Sequence, residues 1–146
     1  MNTEKERQLL AELVHDARVS YRELAKKLGV STGTVIARTR ELEDAGVIRG
    51  YSAVLDHEKM GYGLAVVMEI TVSKGKLVEM EKHIASRPNV LAVYDVTGQT
   101  DAVVVAKFKS REDLSRFTKS ILALPFVERT NTHFVLSIMK EDFRLT

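Results

Sequence analysis

The sequence predicts an α+β protein in which an N-terminal winged helix-turn-helix precedes a C-terminal ferredoxin-like domain of βαββαβ order. Two observations support this fold class. Residues 20–46 contain two capped amphipathic helices joined by a glycine turn, and residues 64–138 alternate strand and helix patterns in the order of a split βαβ fold. Gly61 and Gly63 indicate a hinge between the two parts. We therefore divide the chain into a helix-turn-helix domain at 1–50, a wing strand and hinge linker at 51–63, and a second domain at 64–146.

The helix pair has clear start and stop signals. Ser20 can cap the first turn of the first helix, and Glu23 completes a capping box three residues later. Gly29 supplies a residue that tolerates positive φ at the turn. Ser31 caps the second helix, which runs to Gly46. This arrangement is typical of a DNA-binding helix-turn-helix.

The outer face of the second helix suits the major groove of double-stranded DNA. Val35, Thr39 and Leu42 point inward at helical spacing, and short side chains and arginine occupy the opposite face. The alternative is an ordinary surface helix with solvated charges, and the acidic residues Glu41, Glu43 and Asp44 oppose a broad nonspecific grip on phosphate. The candidate DNA-binding residues are Ser31, Thr32, Gly33, Thr34, Ala37, Arg38, Arg40 and, in the wing, Arg49.

Segments on either side complete the first domain. An opening helix is predicted over 3–14. Its buried side would carry Leu9, Leu10, Leu13 and Val14. After Gly46, apolar residues between 47 and 55 predict short wing strands broken at Gly50, where Arg49 can contact backbone phosphate or remain an exposed turn residue.

The second half alternates strands and helices. Strands are predicted at 64–72, 90–96, 101–107 and 126–138, with a turn at 73–75, a helix at 76–86 and a second helix that Ser110 caps and that ends before Pro125. The four residues 97–100 make a β-hairpin loop. The helices are expected to bury Leu77, Val78, Met80 and Ile84, and Leu114, Phe117, Ile121 and Leu122, respectively.

Both faces of the predicted sheet are apolar. In the strand at 90–96, Leu91 and Val93 are expected to point opposite to Val90, Ala92 and Val96, and the strand at 101–107 alternates in the same way. Both helices of this fold cover one face, so a second copy is the simplest cover for the other. We therefore expect an obligate homodimer that presents two helix-turn-helix units to a palindromic or repeated DNA site.

Composition excludes several classes of protein. A net charge of +2 and a pI near 8.9 are compatible with DNA but do not require it, and the absence of cysteine excludes disulfides and thiolate metal sites. The charged N-terminus and the lack of a long apolar run favour a cytoplasmic protein without a membrane partner. The four histidines lack metal-ligand spacing and no phosphate loop or nucleophile elbow occurs, so we expect no catalytic residue, metal or cofactor.

The whole chain resembles the Lrp/AsnC (feast/famine) family of prokaryotic transcription regulators. The resemblance is carried by LLAELVHDARVS, by ELAKKLGVSTGTVIARTRELEDAGVIRGYSAVLD, and by VTGQTDAVV with RTNTHFVL. It implies that the second domain senses a small effector, usually an amino acid, and that dimers assemble into octamers or similar rings with the effector bound between them. The implied effector residues are Gly98, Gln99, Thr100, Asp101, Thr130 and Thr132.

The residue types at these positions are consistent with that role but leave alternatives. Backbone N–H groups beside Gly98 can bind an α-carboxylate, although the turn itself can require glycine. Asp101 can pair with an α-ammonium or accept hydrogen bonds that fix the loop. Thr100 stands where the family commonly has an aromatic residue, which favours a polar effector such as glutamine, asparagine, lysine or arginine. Thr39 replaces a usual aliphatic residue, and we expect its hydroxyl to bond a carbonyl one turn back.

Two other functions remain open at this stage. An architectural DNA-binding protein would share the helix-turn-helix and sense nothing. Haem-pathway decarboxylases similar to this family keep the helix-turn-helix outline, but the histidine and arginine cluster of a tetrapyrrole pocket cannot be assembled from this sequence. We expect a transcription regulator whose assembly and DNA affinity respond to the effector.

Overall fold

The computed structural model describes residues 4–73 and 75–145. It has two compact units: the first comprises the chain up to Val54 together with the segment from Lys140 onward, and the second comprises Leu55–Met139. The first unit contains α1 Glu4–His15, α2 Tyr21–Leu28 and α3 Thr32–Asp44. The second contains β1 Leu64–Val72, α4 Leu77–Ala85, β2 Val90–Asp95, β3 Ala102–Phe108, α5 Arg111–Leu122 and β4 Val127–Phe134. The predicted βαββαβ order is confirmed, and the strands form one antiparallel sheet in the order β2-β3-β1-β4. Thr3 and Lys74, which the predicted opening helix and turn include, lie outside the described residues.

Local signals place the three helices of the first unit. The Ser20 hydroxyl accepts a hydrogen bond from the Glu23 N–H, and the Glu23 carboxylate accepts one from the Ser20 N–H, which is the predicted capping box. Gly29 ends α2 at φ 63°, a value that favours glycine. The core between the helices consists of Leu9, Leu13, Leu24, Ala25, Val35 and Leu42, with Leu10 half-buried at its edge.

Thr39 lies within this first core but does not make the predicted hydrogen bond. Its side chain is fully buried, as expected from the inward face of α3. Its Oγ1 has no hydrogen-bond partner among the described residues. The expected bond to a carbonyl one turn back is therefore wrong, and a buried hydroxyl without a partner destabilises the unit.

The short wing strands predicted over 47–55 are also wrong. The described chain has no strand between α3 and Leu64. Val47 and Ile48 donate to the Leu42 carbonyl, but among the described residues 49–55 make no backbone–backbone hydrogen bond. A strand requires a neighbouring strand to pair with, and apolar spacing in the sequence does not reveal whether one is available.

In the second unit, α4 and α5 cover one face of the sheet. The shared core contains Val66, Met68 and Ile70 from β1, Ala102, Val104, Ala106 and Phe108 from β3, Met80 and Ile84 from α4, and Leu114, Phe117 and Ile121 from α5. Val78 and Leu122 were expected in this core, but 60% and 50% of their surfaces are exposed. Each follows a core-facing residue directly, so the 100° turn per residue rotates it away from the sheet.

A bulge changes the predicted face assignment of β2. The register shifts between Val90, which pairs with Ala106, and Ala92, which pairs with Val105. As a result Val93 pairs with core-facing Val104 and shares a face with Val90, contrary to the alternation predicted from sequence.

β4 ends at Phe134 and not at 138, and its partner β1 begins at Leu64. Val66 pairs with Phe134, and the Val135 N–H donates to Ala65. In this register β1 has no residue opposite positions 137 and 138, so the predicted strand is longer than the pairing with β1 allows.

The face of the sheet away from the helices is apolar at one side and polar at the other. By register, the apolar part consists of Ala65, Val67, Ala92, Tyr94, Val103 and Val105. At the polar side Glu69 Oε2 accepts a hydrogen bond from Asn131 Nδ2 at 3.0 Å and lies 3.3 Å from His133 Nε2. We call this surface the open face.

Candidate DNA-binding and effector sites

The start of α3 is exposed and organised by its own cap. Ser31 Oγ accepts a hydrogen bond from the Thr34 N–H at 3.1 Å and lies 2.8 Å from Thr34 Oγ1. Thr32 and Gly33 are exposed in the same turn, with Ala37 exposed one turn later. A helix N-terminus favours negative charge, so this turn presents short polar groups and backbone N–H groups to an anion.

The three candidate arginines differ in their partners. Arg38 Nη1 lies 2.6 Å from Glu41 Oε2 and 3.9 Å from Glu6 Oε1, so its guanidinium is held by carboxylates. Arg40, on the exposed side of α3, makes no ion pair among the described residues. Arg49, in the segment after α3, likewise makes no ion pair within the described chain. Arg40 is therefore the arginine of α3 whose donors are available to a base or phosphate.

A backbone hydrogen bond joins the two ends of the hairpin loop between β2 and β3, and the tip of the loop is exposed to solvent. The Val96 N–H donates to the Asp101 carbonyl at 3.1 Å. Gly98 and Gln99 are exposed at its tip, and Gly98 has φ 129°, a conformation that side chains with a Cβ rarely adopt. A Cβ at Gly98 would meet no atom within 4 Å, so the backbone angle, not crowding, requires glycine here.

Two polar side chains tie this loop to the end of β1. Thr100 Oγ1 donates to the Ile70 carbonyl at 2.9 Å, and Asp101 Oδ2 accepts from the Val72 N–H at 2.8 Å. Both residues are half-buried. The Asp101 contact fits one of the two roles that the sequence allows for this residue, which is to accept hydrogen bonds that fix the loop.

Thr130 and Thr132 lie on β4 at different distances from the loop. Thr130 pairs with Ile70, whose carbonyl also accepts from the Asp101 N–H at 3.0 Å. Thr132 pairs with Met68, one pleat farther along β1, and lines a groove against Arg111 and Leu114 of α5. The structure therefore brings Thr130 near the loop and places Thr132 toward α5.

A cleft lined by basic residues has no counterpart among the residues predicted from sequence. It contains Arg87, Asn89, Lys107 and Arg116, which come from three separate segments of the second unit. Each is an ordinary surface cation or amide in sequence, and only the sheet topology brings them together. Among the described residues, no group of three histidine, aspartate or glutamate side chains is arranged to hold a metal.

Two family models cover almost the whole chain. One, described as a winged helix-turn-helix DNA-binding domain, matches residues 2–49, and the other, described as the Lrp/AsnC ligand binding domain, matches residues 65–145. The chain belongs to the Lrp/AsnC family. An HTH-type transcriptional regulator of Pyrococcus furiosus is 51% identical over 96% of this chain and 95% of its own. The regulator FL11 of Pyrococcus horikoshii is 33% identical over 97% of this chain and 94% of its own.

Solved structures of Lrp/AsnC regulators share the fold over their full length. A Neisseria meningitidis transcriptional regulator in complex with L-Met aligns with a TM-score of 0.90 at 26% identity, covering 100% of this chain and 97% of that one. LrpC of B. subtilis aligns with a TM-score of 0.85 at 26% identity, covering 97% and 99%. This Lrp/AsnC protein is therefore a DNA-binding transcription regulator and not an enzyme, which removes the decarboxylase alternative. No helix among its described residues is long and apolar enough to span a membrane.

Proposed function

We propose that this regulator binds an amino acid at the hairpin loop of residues 97–100 and that binding changes its assembly and DNA affinity. The observation that carries the proposal is the loop itself, which is exposed at Gly98 and Gln99 and anchored to β1 through Thr100 and Asp101. An anchored loop with an exposed glycine can present backbone N–H groups to a carboxylate without reorganising. The L-Met complex of the similar Neisseria regulator supports an amino acid as the class of effector.

The proposed roles of the site residues follow from their positions. Gly98 and Gln99 contact the effector, and Thr100 and Asp101 hold the loop in its binding conformation. Thr130 lies close enough to the loop anchor, through Ile70, to line the same site, and Thr132 is its more distant wall. The polar character of these side chains favours glutamine, asparagine, lysine or arginine as the effector.

The DNA-binding surface that we propose is the exposed side of α3 and the segment after it. Its contacts are Ser31, Thr32, Gly33, Thr34, Ala37, Arg38, Arg40 and Arg49. Short side chains near the start of the helix permit close approach to the groove, and Arg40 supplies a guanidinium without a carboxylate partner among the described residues.

We further propose a homodimer through the open face, with dimers assembling into an octamer or similar ring. The apolar half of that face, including Val67 and Val105, needs a cover that the helices on the other side do not provide. Val105→Glu would place a charge in this interface, so light scattering should show monomers. Val78→Glu introduces the same charge on the exposed side of α4 and should leave the mass unchanged. Dimers that persist in the Val105 variant would contradict the interface.

The test of the proposed function is a thermal-shift screen of the full-length protein against the twenty amino acids. A ligand that binds only the native state raises the melting temperature by mass action. We expect one clear hit, lost in Gly98→Val, because a β-branched residue is strained at φ 129°. Gly63→Ala is the matched control, since this glycine of the same unit has no positive φ.

The outcomes separate the two remaining functions. A hit that shifts the mass of the assembly and its DNA affinity, and that Gly63→Ala retains, supports an effector-responsive regulator. A flat screen with DNA binding intact, or a hit that Gly98→Val retains unchanged, contradicts the loop as an amino-acid site. An architectural DNA-binding protein would give the flat screen.

A further inference from the structure

A second candidate ligand site lies at the end of the sheet opposite the hairpin loop. A cleft of about 510 Å³ opens there between the start of β2, the end of β3 and α5. This volume is within the range of small-molecule sites. β3 begins at Ala102 beside the hairpin loop and ends at Phe108 in the cleft wall, so about 20 Å of strand separates the two sites.

The cleft is strongly cationic. Arg87, Lys107, Lys109 and Arg116 line it, and Asp113 is the carboxylate among its lining residues. Asp113 accepts hydrogen bonds from Ser110 and Arg116, which lower its pKa. Its carboxylate is therefore paired with groups at the start of α5. Cations that converge on a concave surface raise the local concentration of anions.

Asn89 adds an unused donor to the cleft wall. Its Nδ2 is buried and has no hydrogen-bond partner among the described residues. Its backbone is fixed, because the Asn89 carbonyl accepts from the Lys107 N–H at 2.9 Å in the pairing of β2 with β3. A buried amide without a partner is unusual in proteins, so this donor is available to a bound group.

The remaining contacts hold the cations in place. Lys107 pairs with Ala65, so its side chain lies on the open face at the margin of the cleft. It is only 6% exposed, and its Nζ lies 3.2 Å from His57 Nδ1. Lys109 Nζ lies 5.0 Å from the centre of the Tyr62 ring, over its face. Arg87 Nη2 lies 3.0 Å from His83 Nε2. The rings of His57, Tyr62 and His83 position these side chains. Among the described residues, Arg87 and Lys109 make no ion pair with a carboxylate, whereas Arg116 is paired with Asp113.

We propose that this cleft binds the phosphate group of a small phosphorylated molecule, at a site separate from the hairpin loop. Arginine supplies paired donors for phosphate oxygens, lysine supplies charge, and the Asn89 amide supplies one more donor for an anion that carries several acceptor oxygens. The backbone of duplex DNA also carries phosphate, but the concave wall and the buried Asn89 amide fit a small ligand that enters the cleft.

Calorimetric titration of the full-length protein with inorganic phosphate and with pyrophosphate, without DNA and at constant ionic strength, tests the proposal. We expect saturable binding that chloride does not reproduce. Arg87→Gln should weaken it at least about tenfold, or about 1.4 kcal/mol. Lys82→Gln removes the same charge from α4 outside the cleft and should change the affinity less than twofold.

A second variant separates binding from folding. Asn89→Leu removes the orphan donor without leaving another buried group unpaired, so its melting temperature should not fall while phosphate affinity does. DNA affinity of Arg87→Gln should stay within twofold of the parent. Three outcomes would each overturn the proposal. The first is that phosphate binds no more tightly than chloride, and the second is that Arg87→Gln and Lys82→Gln lose phosphate affinity equally. The third is that Arg87→Gln loses DNA affinity while the protein binds no phosphate.

Discussion

The Asp101 carboxylate accepts a hydrogen bond from the Val72 N–H at 2.8 Å, joining the hairpin loop to the last residue of β1. Val72 follows an irregularity in the pairing of β1 with β4, where the register shifts after Thr71. The side chain of Asp101 thus supplies an acceptor at a point where regular strand pairing is interrupted. The hairpin loop is therefore fixed to the end of β1, a central strand of the sheet.

Replacing Asp101 should separate its structural role from any contact with the effector. Asp101→Ala leaves the half-buried Val72 N–H without this acceptor and should lower the free energy of unfolding by about 1–3 kcal/mol. Asp101→Asn keeps an oxygen in place and should cost less. Urea unfolding at fixed protein concentration measures both. An alanine variant as stable as the parent would show that the bond contributes nothing.

Thr39→Val should stabilise the helix-turn-helix unit. The hydroxyl of Thr39 is buried without a partner among the described residues, and valine has nearly the same shape without the polar atom. We expect a gain of about 1–2 kcal/mol in the free energy of unfolding. The reciprocal change Val35→Thr, at another buried position of α3, should destabilise by a similar amount. Loss of stability in Thr39→Val would mean that a water molecule satisfies the hydroxyl.

The capping box of α2 predicts a pH dependence of stability. Hydrogen bonds from the Ser20 side chain and then from its backbone N–H lower the pKa of Glu23 below 4.5 in the folded protein. A lowered pKa stabilises the fold above the unfolded value of about 4.5, and this stabilisation is lost as the pH falls through the folded pKa. A pH titration of the Glu23 carboxyl carbon by NMR measures the shift.

Ser20→Ala should move the pKa of Glu23 back toward 4.5, since the largest cause of the shift is removed. Loss of the cap should also cost about 0.5–2 kcal/mol at neutral pH. Ser110→Ala removes the corresponding cap of α5 and should leave the Glu23 titration unchanged. An unshifted pKa in the Ser20 variant would show that other groups hold the carboxylate.

Features with a local cause could be predicted from sequence. The caps at Ser20 and Ser31 and the left-handed Gly29 depend on a few neighbouring residues, and the structure confirms all three. The βαββαβ order likewise follows from periodicity and turn residues. Within the hairpin loop, a structural reason for Gly98 was available from sequence, namely that the turn can require glycine. Its φ of 129° agrees with that reason.

Features that depend on distant partners could not be predicted. Apolar spacing over 47–55 resembles strands, but whether a strand forms depends on a neighbouring backbone. The bulge beside Leu91 is set by pairing with β3, and it alters which residues share a face. The partner of Asp101 and the gathering of Arg87, Asn89 and Arg116 in one cleft likewise require the sheet topology.

Arg40→Gln should weaken binding to preferred DNA sites, selected from random sequences, by about 1–3 kcal/mol if its guanidinium reads a guanine. The loss should be smaller on unrelated sequences, because a base contact carries specificity. Arg38 is held by Glu41 at 2.6 Å, so Arg38→Gln should reduce affinity less than Arg40→Gln does, and by a similar factor on every sequence, because any contact it makes would be to phosphate. Fluorescence anisotropy on preferred and scrambled duplexes at several salt concentrations measures both effects.

Arg7→Gln provides the matched control for this experiment, because it removes an exposed arginine from α1, outside the proposed DNA-binding surface. Its affinities should equal those of the parent at every salt concentration. Equal losses in the Arg40 variant on preferred and scrambled DNA would assign Arg40 to phosphate, because a phosphate contact is insensitive to sequence. Parent-like affinity and preference in that variant would instead contradict the proposed orientation of α3 in the groove.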